Sequence, residues 1–179
     1  MQCRSIVLII TWALLAGCAA TVKREASGAA MMPLPASASS KLVLNVGGSN
    51  SSVTSGDWEG FKLEWRENFT EQSKIAGVPF EMQEGSPTPT GQDGTLLFVF
   101  VSDYRFVRPG TRYVTGIMSG NAYIQSKLSF SNLKTGESYG SIEVNTSSSA
   151  WQGVFSAMTN KQVEAIAVDV YKDLKNGKK

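Results

Sequence analysis

Leu42, Leu44 and Val46, spaced two apart, predict a strand with one strongly apolar face. A Gly/Ser/Asn loop over residues 47–56 follows. The period then lengthens. Trp58, Phe61, Trp65, Phe69 and Ala76 share one face of a helix, with Asp57 placed to cap its start and Gly77 to end it. Val78, Phe80 and Met82 alternate again, and Pro79 assigns that short strand to an edge or a strand start. Residues 85–94 hold two prolines and three glycines and read as a loop. The run Leu96, Leu97, Phe98, Val99, Phe100, Val101 has the profile of a central strand covered on both faces, extending through Tyr104 and Phe106 to Pro109-Gly110.

Ala122, Ile124, Ser126, Leu128 and Phe130 alternate with polar neighbours, residues 132–136 carry turn chemistry, and residues 138–145 return with Ile142 and Val144 inward. Thr159 and Gln162 have the spacing of a capping box. Val163, Ile166, Ala167, Val170, Tyr171 and Leu174 then follow helical spacing. Two amphipathic helices cannot cover each other and also shield the central strand. The expected fold is therefore one α/β (α+β) domain over residues 41–179: a mixed sheet of about five strands with both helices packed on it.

The start of the chain obeys a different pattern. Arg4 precedes an apolar run over residues 5–16, within the range of a secretory signal and short of the roughly 20 residues a membrane span needs. Leu15-Ala16-Gly17-Cys18 closes the run and resembles the lipobox of bacterial lipoprotein precursors, where the cysteine is lipidated and the preceding residues are removed. That resemblance implies a signal peptide over 1–17, lipidation at Cys18, and an anchor carrying more than one acyl chain, which holds stably. Ala19, rather than Asp, resembles an outer-membrane sorting signal in that class. Residues 18–40, rich in Ala and Ser, read as a flexible tether.

Composition narrows the chemistry. The 17 basic and 15 acidic residues give a formal charge of +2, so bulk charge favours no polyanion and no nucleic-acid partner is expected. There is no histidine, and of two cysteines Cys3 leaves with the signal and Cys18 becomes a thioether. The commonest general base, the commonest metal ligand and any free thiolate are thus missing, so the reading is not an enzyme, with no cofactor and no metal.

Further residues carry a second resemblance. Residues 116–122 (Gly-Ile-Met-Ser-Gly-Asn-Ala), residues 130–136 (Phe-Ser-Asn-Leu-Lys-Thr-Gly) and the final amphipathic helix look like a family of small Gram-negative envelope lipoproteins of unknown function. Asn132 stands where that family's turn has Asp. The layout is similar to the small α/β domains of Tol-system and curli-secretion assembly proteins. The resemblance implies an outer-membrane, periplasm-facing lipoprotein that binds or assembles envelope proteins, with the membrane and an envelope protein as partners. The alternative is a glycan- or lipid-binding module of the envelope.

The best contact candidate is the stretch over residues 104–113, where Arg105, Phe106, Arg108, Arg112 and Tyr113 surround a Pro-Gly turn. Arginines and aromatics are the residue types enriched where partners bind tightly. The competing reading is a strand end whose arginines lie over apolar neighbours. The Gly47-Gly48-Ser49 loop lacks the lysine and spacing of a phosphate loop. Glu64, Glu67 and Glu71 read as a solvated helix face.

Overall fold

The computed structural model describes residues 21–26, 32–106, 122–147 and 158–177. Cys18, Arg108, Arg112, Tyr113 and the Pro-Gly turn lie outside the described residues.

Among the described residues, six strands and three α-helices follow in the order β1 (Thr21–Ala26), β2 (Leu42–Gly48), α1 (Asn50–Val53), α2 (Trp58–Ala76), β3 (Phe80–Gln83), β4 (Thr95–Arg105), β5 (Tyr123–Asn132), β6 (Ser138–Ser147) and α3 (Met158–Asn176). The strands form one mixed sheet, ordered β1-β6-β5-β4-β2-β3. β2 runs parallel to β3 and β4, and the remaining neighbours are antiparallel. The mixed α/β class and the two helices packed on the sheet agree with the sequence pattern.

Both long helices cover one face. Trp58, Phe61, Trp65 and Phe69 of α2 and Val163, Ile166, Ala167, Val170 and Leu174 of α3 are buried against Leu42, Leu44, Leu97, Val99, Val101, Ile124, Leu128, Phe130 and Val144. These are the periodic positions of each element, so one apolar stripe per helix meets one apolar side per strand. Asn160 Nδ2 donates to Glu64 Oε2 at 2.8 Å and Tyr171 Oη donates to the Phe69 carbonyl at 3.2 Å, tying the helices together. Gly77 ends α2 with φ 66°, in the left-handed region glycine tolerates. The β5–β6 turn closes on Asn132, whose Oδ1 accepts from the Lys134 and Thr135 amides at 2.8 and 3.3 Å.

Four expectations are corrected. The first is the tether. Within 18–40, Thr21–Ala26 pairs with β6 over six residues, and the 3-10 turn at Ala36–Ser39 buries Ala38 beside Leu34 at the end of the core. The strand escapes pattern reading because its sequence is Thr-Val-Lys-Arg-Glu-Ala. An edge strand needs few inward apolar residues and gains from charges that deter further pairing. The sheet thus has six strands, not about five.

The second is the coverage of β4. It is central, but among the described residues the helices cover one side only. Phe98 is half-buried and Phe100 is 39% exposed on the other side, where Val43, Leu96 and Leu133 form a small separate cluster.

The third and fourth are the caps. Asp57 precedes α2 but makes no capping hydrogen bond. The last helix begins at Met158, before Thr159, and Gln162 turns its Nε2 to the Ala122 carbonyl at 2.9 Å instead of closing a box.

A polar pocket at the carboxyl end of the parallel strands

β2 and β4 are parallel and end side by side, with Gly48 opposite Val101. In an open α/β sheet this end is where ligands collect, because loops rather than helices close it. Here the chain leaves β2 through Ser49 into α1. The Ser49 amide donates to the Val101 carbonyl at 2.9 Å, and its hydroxyl donates to the Ser102 carbonyl at 2.9 Å. Gly48 makes this approach possible: a Cβ there would sit 2.9 Å from the Val101 carbonyl and 3.1 Å from the Trp58 ring.

Beyond Val101 the register of β4 against β5 shifts by one residue. This bulge decides what the site contains. Uninterrupted alternation would continue Leu97, Val99 and Val101 with Asp103 and Arg105, driving two charges toward the core. The extra residue, Ser102, reverses the parity, as bulges do. Tyr104 now pairs with the buried Ile124 and faces α2, whereas Asp103 and Arg105 pair with Gln125 and Tyr123 and point away from it.

The two tyrosines and two aspartates interlock. Tyr104 stacks on Phe61, with ring centroids 4.2 Å apart, and its hydroxyl donates to Asp57 Oδ1 at 2.5 Å. Ser55 Oγ donates to the same oxygen at 2.7 Å. These bonds explain why Asp57 does not cap its helix. Tyr123 Oη donates to Asp103 Oδ2 at 2.9 Å, and the Tyr104 amide donates to Asp103 Oδ1 at 2.8 Å. Burial, with Asp57 second, pushes the Tyr104 hydroxyl up to about 12. The hydrogen bond to Asp103 raises the Tyr123 hydroxyl above the ordinary phenol range, and Arg105 pulls it the other way.

Between these side chains lies a cavity of about 240 Å³. Its lining joins serines 51, 52 and 55, the half-buried Asp57, Tyr104, Phe106 and Tyr123, and, at its exposed rim, Asp103 and Arg105. It offers carboxylate acceptors, small hydroxyls and one guanidinium. Among the described residues no group of three or more acidic or cysteine side chains is placed to hold a metal ion.

Of the contact residues expected from sequence, the structure places two. Arg105 is exposed at the end of β4. Phe106 lines the pocket and packs edge-on against Phe61, with centroids 6.2 Å apart, so its half-buried ring is shared between pocket and core. Asp57, Asp103, Tyr104 and Tyr123 were not anticipated as a group. They come from three separate segments, joined by a bulge that leaves no periodic signature.

The described residues thus define a two-layer α/β domain, with both long helices on one side of a mixed sheet and a polar pocket at the carboxyl end of its parallel strands. The solved structures that share this architecture include the PelC dodecamer from Paraburkholderia phytofirmans, at a TM-score of 0.51 and 10% identity, covering 87% of this chain and 96% of that one. Protein XCC0632 from Xanthomonas campestris, a DUF330 protein, aligns at 0.47 and 12% identity over 85% of this chain and 94% of that one. No family model matches the chain, and no curated protein matches its sequence. Among the described residues no helix is long and apolar enough to cross a membrane.

Proposed function

We propose that the chain is a lipid-anchored lipoprotein of the Gram-negative outer membrane, facing the periplasm, that binds or assembles envelope proteins without catalysis. The anchor rests on Leu15-Ala16-Gly17-Cys18 and the short apolar run before it. The non-catalytic role rests on the chemistry available: no histidine, and no thiol left once Cys3 is removed and Cys18 acylated.

The observation that carries the binding role is the bulge after Val101. It spends one residue of a central strand to bring Asp103 and Arg105 to the rim of a pocket. Arg105 stands in the sequence at the head of the segment that holds Arg108, Arg112 and Tyr113, residue types enriched where partners bind. A PelC chain of the same architecture forms a dodecamer, which extends the proposal to self-association.

The test has two stages. Intact mass and membrane fractionation of the native protein, beside Cys18→Ala, should show an acylated Cys18 in the outer membrane and a variant lost from it. Crosslinking in cells, beside a variant with Arg105, Arg108 and Arg112 all changed to Ala, should then lose the major adduct. Retention of every adduct by the triple variant rejects the arginine surface.

A second reading has its own observation. Three serines, two aspartates and two tyrosines around one cavity suit a polyhydroxylated ligand, such as a glycan or a lipid headgroup. It expects the purified domain to be retained on peptidoglycan or lipopolysaccharide with no other protein present.

A further inference from the structure

The position of β1 orients the molecule on its membrane. β1 begins at Thr21, three residues after Cys18. Consecutive Cα atoms are about 3.8 Å apart, so Thr21 lies at most about 11 Å from the anchored residue. No long tether separates the lipid from the sheet, because the residues that would have formed one are paired with β6.

Thr21 is not at an arbitrary place in that sheet. It pairs with Ser147, Ser147 with Tyr123, and Tyr123 with Arg105. These four residues form one row across four strands, and at about 4.8 Å per strand Arg105 lies about 15 Å from Thr21. The row marks the end of the sheet that holds the pocket. The opposite end, with the Asn132–Gly136 turn, lies a strand length away, about 30 Å for the ten residues of β5.

Resting on the anchor reading above, we propose that the end of the sheet marked by the row Thr21–Ser147–Tyr123–Arg105 is the end turned toward the bilayer. The pocket then lies on the membrane side of the domain, and the β5–β6 turn projects into the periplasm. Side chains of that end suit the neighbourhood of lipid headgroups. Arginine and tyrosine both place an apolar body below a polar tip, and both gather at membrane interfaces. β1 carries Lys23 and Glu25 on one face and Arg24, paired with Asp173 of α3, on the other, so the flank of the sheet at this strand suits water rather than lipid and argues against the molecule lying there.

The mature, lipidated chain has no thiol, so single cysteines report position cleanly. A fluorophore is attached at Ser147→Cys or Arg105→Cys near the anchor, and at Thr135→Cys or Glu137→Cys at the far turn; all four side chains are exposed. The full chain, acylated in a Gram-negative host, is reconstituted in phosphatidylethanolamine/phosphatidylglycerol vesicles containing lipids with nitroxide headgroups. Quenching at positions 147 and 105 should exceed that at 135 and 137 several-fold. Equal quenching at both ends, or stronger quenching at the turn, overturns the orientation. Intact mass of the same samples separates the two ideas. An acylated chain with equal quenching rejects the orientation alone, and a chain without acyl groups rejects the anchor and the orientation with it.

Discussion

Tyr104 joins core and site in one side chain. Its ring stacks on Phe61 and its hydroxyl reaches Asp57. Tyr104→Phe keeps the ring and removes the bond, so chemical denaturation should show a loss of about 0.5–1.5 kcal/mol. The pH dependence has a definite sign. The folded state holds this proton to about 12, whereas the unfolded chain releases it near the ordinary phenol value of about 10. The stabilisation is fully present below about pH 10 and is lost as pH rises toward 12. Unfolding midpoints measured across that window should fall with pH, and less steeply in Tyr104→Phe. Gly48 is the other sensitive position. Gly48→Ala forces a methyl against the Val101 carbonyl and the Trp58 ring, and overpacking of this kind costs about 1–3 kcal/mol. A lowered denaturation midpoint with an unchanged slope is the expected result.

Among the elements, α2 supplies the bulkiest fully buried side chains, Trp65, Phe61 and Phe69. Phe61 is fully buried, so Phe61→Ala should cost about 3–5 kcal/mol and loosen Tyr104 and Phe106 with it, which near-ultraviolet circular dichroism would register. The helices and the β5–β6 hairpin were legible because each presents one apolar stripe to one layer, and periodicity reports that directly. Two elements were not. β1 contributes hydrogen bonds more than apolar surface, and a pattern of charges on an edge strand looks like a linker. The bulge in β4 was hidden by composition. Both parities of the run from Leu96 to Val101 are apolar, so the alternation that would reveal a shift is absent until Asp103. The pocket inherits that blindness, because its rim depends on the parity that the bulge sets. Arg105 and Phe106 stand out by residue type alone, and only the packing on Phe61 shows that the two side chains have different surroundings.

Taken whole, the molecule keeps its core apart from the position of the proposed anchor. The core lies between the sheet and two helices, and Cys18 precedes the first strand. Cys18→Ala should therefore leave the urea midpoint of the domain unchanged while moving the protein out of the membrane fraction. A drop in midpoint would mean that the anchor also stabilises the fold.

The pairing of β1 has a mechanical consequence. Hydrogen bonds of an antiparallel pair run perpendicular to the strands. A pull on Thr21 along the axis of β1 loads the six residue pairs from Thr21–Ser147 to Ala26–Ile142 together, in shear, rather than one after another as in a zipper. Force between an anchored lipid and a partner gripping the domain would thus meet the sheet in its stiffest direction, and the six-residue edge strand would act as a clamp.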